Sequence, residues 1–162
     1  SSLINSLCNH KGLAKTSATP GKTLLVNHFL INDSWYLVDL PGYGYAKISQ
    51  AGRVKLHKMI NEFINESEEM ALLFVLLDSR HPIQKIDLEF LLGLGAAGIP
   101  FSIIFTKADK LGKVALEKQI EANKKELLNY WEELPPVFVT SSEKHTGREE
   151  VLEYIHTILN TL

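Results

Sequence analysis

Apolar residues in this chain of 162 residues follow two patterns, and each pattern predicts a different element. Three short runs, at 71–77, 101–105 and 136–139, are apolar almost throughout and predict buried β-strands. Between these runs the apolar residues recur every three or four positions, which is the period of an amphipathic helix. Buried strands that alternate with helices are typical of an α/β fold with a parallel sheet.

The helical period occurs in five segments. The clearest is 50–66, where the apolar residues fall at positions i, i+3, i+4 and i+7 and form one face. These residues are Leu56, Met59, Ile60 and Phe63. The predicted helices are 1–9, 50–66, 85–97, 113–131 and 148–162.

Two further strands are predicted nearer the N-terminus, at 24–31 and 35–40, from their apolar and β-branched residues. The turn-forming residues 32–34 separate them, so the pair predicts an antiparallel hairpin. Pro41 and Gly42 end the second strand abruptly. Such a hairpin fits at one edge of the parallel sheet.

Composition narrows the class of protein. Hydrophobic residues make up 45% of the chain and charged residues 22%, which excludes a chain that is disordered throughout. The length fits one domain. The single cysteine, Cys8, excludes a disulfide framework within the chain and fits a cytoplasmic location. No apolar run reaches the roughly 18–20 residues of a membrane helix, so we expect no membrane association.

The net charge of −2 conceals an uneven distribution. Residues 1–60 carry seven Lys and Arg against two acidic residues, a surplus of five positive charges. The remainder carries ten basic and seventeen acidic residues, an excess of seven negative charges. The basic third either faces a polyanion or is an ordinary solvated surface, and charge alone does not separate the two.

Polar clusters follow the predicted strands, where α/β sheets bind their ligands. Asp39 ends the second strand of the hairpin, and Gly42 follows three residues later. A carboxylate and an unobstructed glycine N–H can together hold the water shell of a Mg²⁺ ion and a terminal phosphate. The alternative is an aspartate in an ordinary turn.

The sequence Thr106-Lys107-Ala108-Asp109 follows the strand 101–105 and predicts a guanine pocket. Guanine presents N1–H and N2–H₂ side by side, and one aspartate accepts both, whereas adenine lacks this pair. The stem of Lys107 can lie across the base, and Thr106 can tie neighbouring loops. The alternative is a polar loop in which Asp109 caps a helix.

Two weaker signals complete the set. Backbone N–H groups of 140–142, a Thr-Ser-Ser sequence, can reach the guanine O6 atom, although Ser-Ser before a helix is also ordinary capping sequence. Thr23 stands at the start of a strand after a loop rich in Gly and Pro, where its hydroxyl can complete Mg²⁺ coordination. Thr16 and Thr19 are alternatives to Thr23.

These motifs, in this order, resemble a small GTPase domain of the translation-factor-related class. The longer sequences narrow the resemblance to the EngB family, also called YsxC or YihA, within the TrmE-Era-EngA-EngB-like superfamily of GTPases. The resemblance spans essentially the whole chain, and four sequences carry it. They are 16–23 (TSATPGKT), 38–46 (VDLPGYGYA), 78–82 (DSRHP) and 106–109 (TKAD).

The resemblance implies a three-layer P-loop NTPase fold, the Ras-like G domain. It implies a single domain over 1–162 with a mostly parallel, six-stranded sheet and one antiparallel edge strand. The family's phosphate loop and the strand before it are missing from the sequence, so we expect a domain that is incomplete at its N-terminus. The nucleotide-binding residues that we expect are Ser1, Ser2, Gly21, Lys22, Thr23, Leu24, Leu25, Asp39, Leu40, Pro41, Gly42, Thr106, Lys107, Ala108, Asp109, Thr140, Ser141 and Ser142.

The resemblance also implies a bound Mg²⁺ ion and a function. Ser1 and Thr23 match direct Mg²⁺ ligands, and Asp39 matches a ligand through water. The implied function is GTP hydrolysis to GDP as a switch in large ribosomal subunit assembly, with a link to formation of the division septum. We expect a cytoplasmic monomer. It would contact the large subunit or its precursor through the basic segment that includes 21–25 and 39–42, which match the two nucleotide-sensing segments (switches) of the family.

Hydrolysis by the protein alone is expected to be slow. Many GTPases place a glutamine after Asp-x-x-Gly to orient the attacking water, and here that position is Tyr43. Thr23 and Gly42 are the candidates that position the water and the terminal phosphate. The alternative function is a nucleotide-gated scaffold for RNA or the ribosome in which hydrolysis is incidental.

Overall fold

The computed structural model describes residues 2–8, 26–40 and 50–162. From Leu3 onward they belong to two units, Leu3–Met70 and Ala71–Leu162. None of the helices in this part of the chain is long and apolar enough to cross a bilayer.

The first unit contains the predicted hairpin. Strands β1 (Asn27–Ile31) and β2 (Trp35–Asp39) pair antiparallel, with Asn27 opposite Asp39 and Ile31 opposite Trp35. Asn32 and Asp33 have φ values of 51° and 52°, a left-handed conformation that these two residue types tolerate. The Ser34 N–H donates to the Ile31 carbonyl oxygen at 3.0 Å and closes the turn. The predicted antiparallel pairing is confirmed.

Two helices accompany the hairpin. Helix α1 (Ser2–Leu7) places Ile4 against Phe29 of β1, and Cys8 packs beside them, so burial raises the pKa of the Cys8 thiol. Helix α2 (Gln50–Glu66) has the predicted bounds. Its most buried side chains are those of Leu56, Ile60 and Ile64.

The second unit is a parallel sheet with helices between its strands. Its strands are β3 (Phe74–Asp78), β4 (Ser102–Thr106) and β5 (Val137–Val139). Its helices are α3 (Lys85–Ala96), α4 (Lys113–Leu127) and α5 (Arg148–Leu159), with a short 3₁₀ helix at Ala108–Lys110. The strand order is β3-β4-β5, with both pairs parallel. The parallel α/β class is therefore confirmed, and the six-stranded sheet with its antiparallel edge strand stays a prediction.

Strand β4 forms the centre of the core in the second unit. Ile103, Ile104 and Phe105 are almost completely buried, because β4 has a neighbouring strand on each side. Leu91 of α3 and Val151 of α5 are buried to the same extent. Successive residues of a strand point to opposite faces, so burial of all three β4 residues accounts for the unbroken apolar run at the centre of β4.

Two helices end well before the predicted position. Helix α4 ends at Leu127, before the predicted end at 131, and the next residues form tight turns in which the Tyr130 N–H donates to the Leu127 carbonyl at 3.0 Å. Trp131 nevertheless packs on Phe101, with ring centroids 6.0 Å apart. Because Trp131 is apolar and falls in the helical period, the sequence pattern predicted a longer helix than the backbone forms. Helix α5 ends at Leu159 instead of 162, and turns again follow it.

A buried asparagine holds the segment that follows β3. Asn123 of α4 is 2% exposed. Its Oδ1 atom accepts from the Ile83 N–H at 3.2 Å and from Gln119 Nε2 at 3.1 Å. Its Nδ2 group donates to the His81 carbonyl at 3.2 Å. The chain after β3 is thereby fixed on α4.

Candidate nucleotide site

The loops after β4 and β5 meet at the carboxyl edge of the parallel sheet. The Ala108 N–H donates to the Thr140 carbonyl at 3.0 Å, and the Thr140 N–H donates to the Phe105 carbonyl at 2.7 Å. The Thr140 hydroxyl also donates to the Phe105 carbonyl, at 3.2 Å. These bonds bring together the two segments that the sequence predicts to recognise guanine, 106–109 and 140–142.

Asp109 and Ser141 form the closest side-chain contact between the two loops. The Ser141 hydroxyl donates to Asp109 Oδ1 at 2.7 Å and accepts from the Lys144 N–H at 3.1 Å. The Asp109 side chain is only 11% exposed. The hydrogen bond from Ser141 lowers the pKa of Asp109, so the carboxylate is ionised at neutral pH.

The backbone N–H groups of 140–142 are not equivalent. The Thr140 N–H bonds to the Phe105 carbonyl, and the Ser141 N–H donates to the Thr146 carbonyl at 3.0 Å. The Ser142 N–H has no backbone partner among the residues that the structure describes. Of the three predicted donors to guanine O6, Ser142 is therefore the one whose N–H remains available.

The side chain of Ser141 has a function that the sequence does not reveal. The sequence suggests a backbone donor at this position, and the structure shows a hydroxyl that orients the Asp109 carboxylate. A hydroxyl 32 positions away from an aspartate gives no local signal, since only the folded sheet edge brings the two together.

Two lysines and a threonine also lie in or beside these loops. Lys110 Nζ lies 3.0 Å from Glu143 Oε2 and 3.5 Å from Asp109 Oδ2, so it bridges the same two loops. Thr106 donates its hydroxyl to the Leu77 carbonyl at 3.4 Å and so ties β4 to β3. Lys107 has φ 59° and ψ 36°, a left-handed backbone conformation that is uncommon for lysine.

The predicted Mg²⁺ and phosphate residues are only partly described. Asp39 ends β2 in the first unit, where its half-buried carboxyl has a pKa raised by burial. Leu40 follows it and is also half-buried. Ser2 begins α1. The other predicted residues of this group, Ser1, Gly21, Lys22, Thr23, Leu24, Leu25, Pro41 and Gly42, lie outside the described residues, as do Thr16, Thr19 and Tyr43.

Comparison with known proteins settles the family. A family model described as "50S ribosome-binding GTPase" matches residues 1–107. The EngB GTP-binding protein of Porphyromonas gingivalis is 61% identical over 158 residues, which cover 98% of this chain and 79% of that protein. The chain belongs to the EngB family of GTP-binding proteins. The EngB protein of Bacteroides fragilis is 62% identical, with the same coverage of both chains.

Two solved structures with a similar fold are elongation factors. SelB of Methanococcus maripaludis, in complex with the GTP analogue GppNHp, matches with a TM-score of 0.65 and 17% identity, over 98% of this chain and 30% of that one. A bacterial selenocysteine-specific elongation factor matches with a TM-score of 0.67 and 16% identity, over 99% and 26%. This EngB-family chain therefore spans about a third or less of those proteins, and the likeness is one of fold. The chain has the fold of a P-loop GTPase and is a GTPase.

Proposed function

We propose that this EngB-family GTPase is a molecular switch in the assembly of the large ribosomal subunit, with Asp109 as its guanine-specifying residue. The observation that carries the proposal is the Ser141–Asp109 hydrogen bond of 2.7 Å, which joins the two segments predicted to recognise guanine. We further infer that residues 1–162 belong to one G domain. The family match over residues 1–107 supports this, since it extends across the boundary between the two units.

The geometry of the pocket suits guanine. Each carboxylate oxygen has two lone pairs, so Asp109 Oδ1 can accept from a base while it also accepts from Ser141. Asp109 would then accept from N1–H and N2–H₂ of guanine, and the Ser142 N–H would donate to O6. Adenine would supply neither of the two donors that guanine offers, and the lone pairs of Asp109 that face the base would stay unpaired, which is a large penalty in a mostly buried site.

Ser141→Ala should weaken GDP binding about 3- to 10-fold, because the Asp109 carboxylate loses the donor that orients it. The pKa of Asp109 should also rise toward its ordinary range. Guanine binding needs the ionised form and is lost as the pH falls through the pKa of Asp109. The loss should therefore begin at a higher pH in the variant, which fluorescence titrations of GDP between about pH 2.5 and pH 6 would measure.

The matched control for this variant is Thr157→Ala. Thr157 loses a hydroxyl of similar kind, which donates to the Glu153 carbonyl at 3.0 Å on an exposed part of α5. In Thr157→Ala, the loss of GDP binding at low pH should follow the same curve as in the wild type. If Ser141→Ala loses GDP binding at the same pH as the wild type, the hydroxyl does not control the ionisation that guanine binding requires.

The Mg²⁺ and phosphate part of the proposal rests on Asp39 and the sequence around it. A half-buried carboxyl whose pKa is raised by burial gains from a nearby cation, and Asp39 is such a group. Asp39 would hold Mg²⁺ through water, with Ser1 and Thr23 as direct ligands. The ion, when bound, neutralises charge on the phosphates. Gly21–Leu25 and Asp39–Gly42 would form the two nucleotide-sensing segments.

The ribosomal part of the proposal rests on three observations. The matching family model is described as a ribosome-binding GTPase. The first 60 residues carry the surplus of basic residues. Lys55 and Lys58 of α2 are exposed, in line with a surface that contacts rRNA. Assembly of this subunit would place the protein in the cytoplasm, where we propose that it acts as a monomer, and a delay in assembly would connect it to septum formation.

Single-turnover GTP hydrolysis by the full-length protein tests this function. Alone, the protein should hydrolyse GTP slowly, on the order of 10⁻³ s⁻¹, since Tyr43 stands where many GTPases have glutamine. Precursors of the large subunit should accelerate hydrolysis at least about tenfold. Their affinity should fall as salt rises, because contacts to phosphates release counterions.

Two outcomes would contradict the switch. Rapid hydrolysis without any partner would remove the need for ribosomal activation. Particle binding of equal strength with GTP, with GDP and without nucleotide would favour the scaffold function, in which hydrolysis is incidental. Small ribosomal subunits are the control particle, because they present rRNA of similar charge.

A further inference from the structure

Lys107, the residue whose stem is expected to lie against the base, has a fixed backbone. Its left-handed conformation is unfavourable for a lysine and persists only where the surroundings enforce it. The residues on both sides supply that constraint. The Thr106 carbonyl accepts from the Ser79 N–H at 3.0 Å, and the Ala108 N–H donates to the Thr140 carbonyl at 3.0 Å.

The other end of the Lys107 side chain is also held. Its Nζ atom lies 3.5 Å from Asp78 Oδ2, at the carboxyl end of β3. Strand pairing accounts for this closeness, since Asp78 lies opposite Thr106 in the parallel register. The ammonium of Lys107, whose side chain is 55% exposed, thus forms an ion pair with the neighbouring strand, and the carbon stem extends between this ion pair and the fixed backbone.

Asp78 is itself held firmly by Arg80. The Arg80 Nε atom donates to Oδ1 at 3.0 Å and Nη2 donates to Oδ2 at 2.7 Å, a two-pronged pairing with the carboxylate. The Arg80 backbone N–H adds a third donor, at 3.0 Å from Oδ1. These bonds hold the pKa of Asp78 well below its usual range, so the charge that attracts Lys107 is present at neutral pH.

We propose that Asp78, held by Arg80, is a positioning residue for guanine nucleotides that fixes the Lys107 side chain as a ready-made platform for the base. The proposal rests on the proposed function, because it assumes that Lys107 lies against guanine. A free lysine side chain loses conformational freedom when a ligand orders it, and this lowers affinity. A side chain that is already fixed at both ends avoids most of that loss.

The Lys107 platform would contact the face of the purine, so it would not interact with the groups on the base edge. Asp78 should therefore affect how tightly a purine nucleotide is held, while Asp109 determines which purine is preferred. Inosine diphosphate separates the two effects, because hypoxanthine lacks the 2-amino group that guanine donates to Asp109. A change in the platform should weaken GDP and IDP by the same factor.

The test compares Asp78→Asn, Lys107→Met and the double variant of the full-length protein. Methionine keeps an unbranched stem and removes the ammonium. Each single variant should weaken GDP and IDP about 3- to 10-fold, mainly through faster dissociation, with the GDP/IDP ratio unchanged. The double variant should bind like Lys107→Met alone, because the tether has already been lost. Stopped-flow dissociation of fluorescent nucleotides measures these rates.

Glu89→Gln is the matched control. It removes the acidic partner of another exposed lysine, Lys85, whose Nζ atom lies 3.9 Å from Glu89 Oε1, and it should leave GDP dissociation unchanged. Thermal unfolding of every variant separates lost folding from lost positioning. If Asp78→Asn does not fold, Lys107→Met still tests the tether, and wild-type dissociation from it would overturn the proposal.

Two results would overturn the inference while leaving the proposed function intact. One is a loss from Asp78→Asn that is equally large in the Lys107→Met background, since Asp78 would then act elsewhere. The other is GDP dissociation from Asp78→Asn at the wild-type rate. Failure of the wild-type protein to prefer guanine over adenine nucleotides would instead contradict the proposed function.

Discussion

Asp109→Asn should lower the affinity for GTP about 100-fold or more and raise the affinity for xanthosine triphosphate. Asparagine replaces one acceptor oxygen by an NH₂ group, which would face the donors of guanine. The buried donors would then have no acceptor, and unsatisfied groups of this kind are costly. Xanthine has a carbonyl oxygen at position 2, which matches the new donor. Competitive calorimetry with the two nucleotides measures the change.

Asp33→Asn is the matched control for this exchange. It makes the same chemical change at an exposed position of the β1–β2 turn, where asparagine tolerates the φ value of 52°. Its nucleotide preference should equal that of the wild type. An unchanged preference for GTP in Asp109→Asn would refute the assignment of the guanine pocket to 106–109.

Gly147→Ala should destabilise the fold by about 2–4 kcal/mol, because two penalties coincide at this position. Gly147 precedes α5 with φ +76°, which is unfavourable for any residue with a Cβ atom. An added Cβ would also collide with the carbonyl oxygen of Val139, the last residue of β5. That collision would displace the end of β5, from which Thr140 and Ser141 lead into the pocket. Urea unfolding measures the loss of stability.

The same experiment has a control in Gly93→Ala. Gly93 lies inside α3, and a Cβ atom there would meet nothing within 4 Å. Alanine favours a helix interior over glycine, so this variant should be more stable by about 0.5–1 kcal/mol. GDP binding should weaken in Gly147→Ala and stay constant in Gly93→Ala. Equal stability of the two variants would mean that the turn before α5 accommodates a side chain.

The sequence predicted elements well where the signal is local. Helix α2 has the predicted bounds, because its apolar face repeats over 17 residues. The hairpin turn was predictable from residue types that tolerate a left-handed backbone. The C-terminal end of α4 was not predictable, because Trp131 is apolar for a tertiary reason, its contact with Phe101. Periodicity predicts which side chains are buried, but it does not predict the residue at which the helix ends.

In the candidate site, too, the sequence predicts the local chemistry but not the contacts between distant residues. The chemical types in Thr106–Asp109 suffice to predict a guanine-recognising loop, since a carboxylate complements adjacent N–H donors. Which hydroxyl orients that carboxylate was beyond the sequence. So was the tether between Lys107 and Asp78, which lie 29 positions apart and meet through the β3–β4 register.

The α/β class, the order of the chemical groups and the resemblance that led to the EngB family could all be read from the sequence alone. These depend on residue type and on spacing along one segment. The partners emerged only in the folded chain: Ser141 for Asp109 and Asp78 for Lys107. Such pairs join loops from different strands, and their geometry depends on strand order and register, which no single segment of sequence encodes.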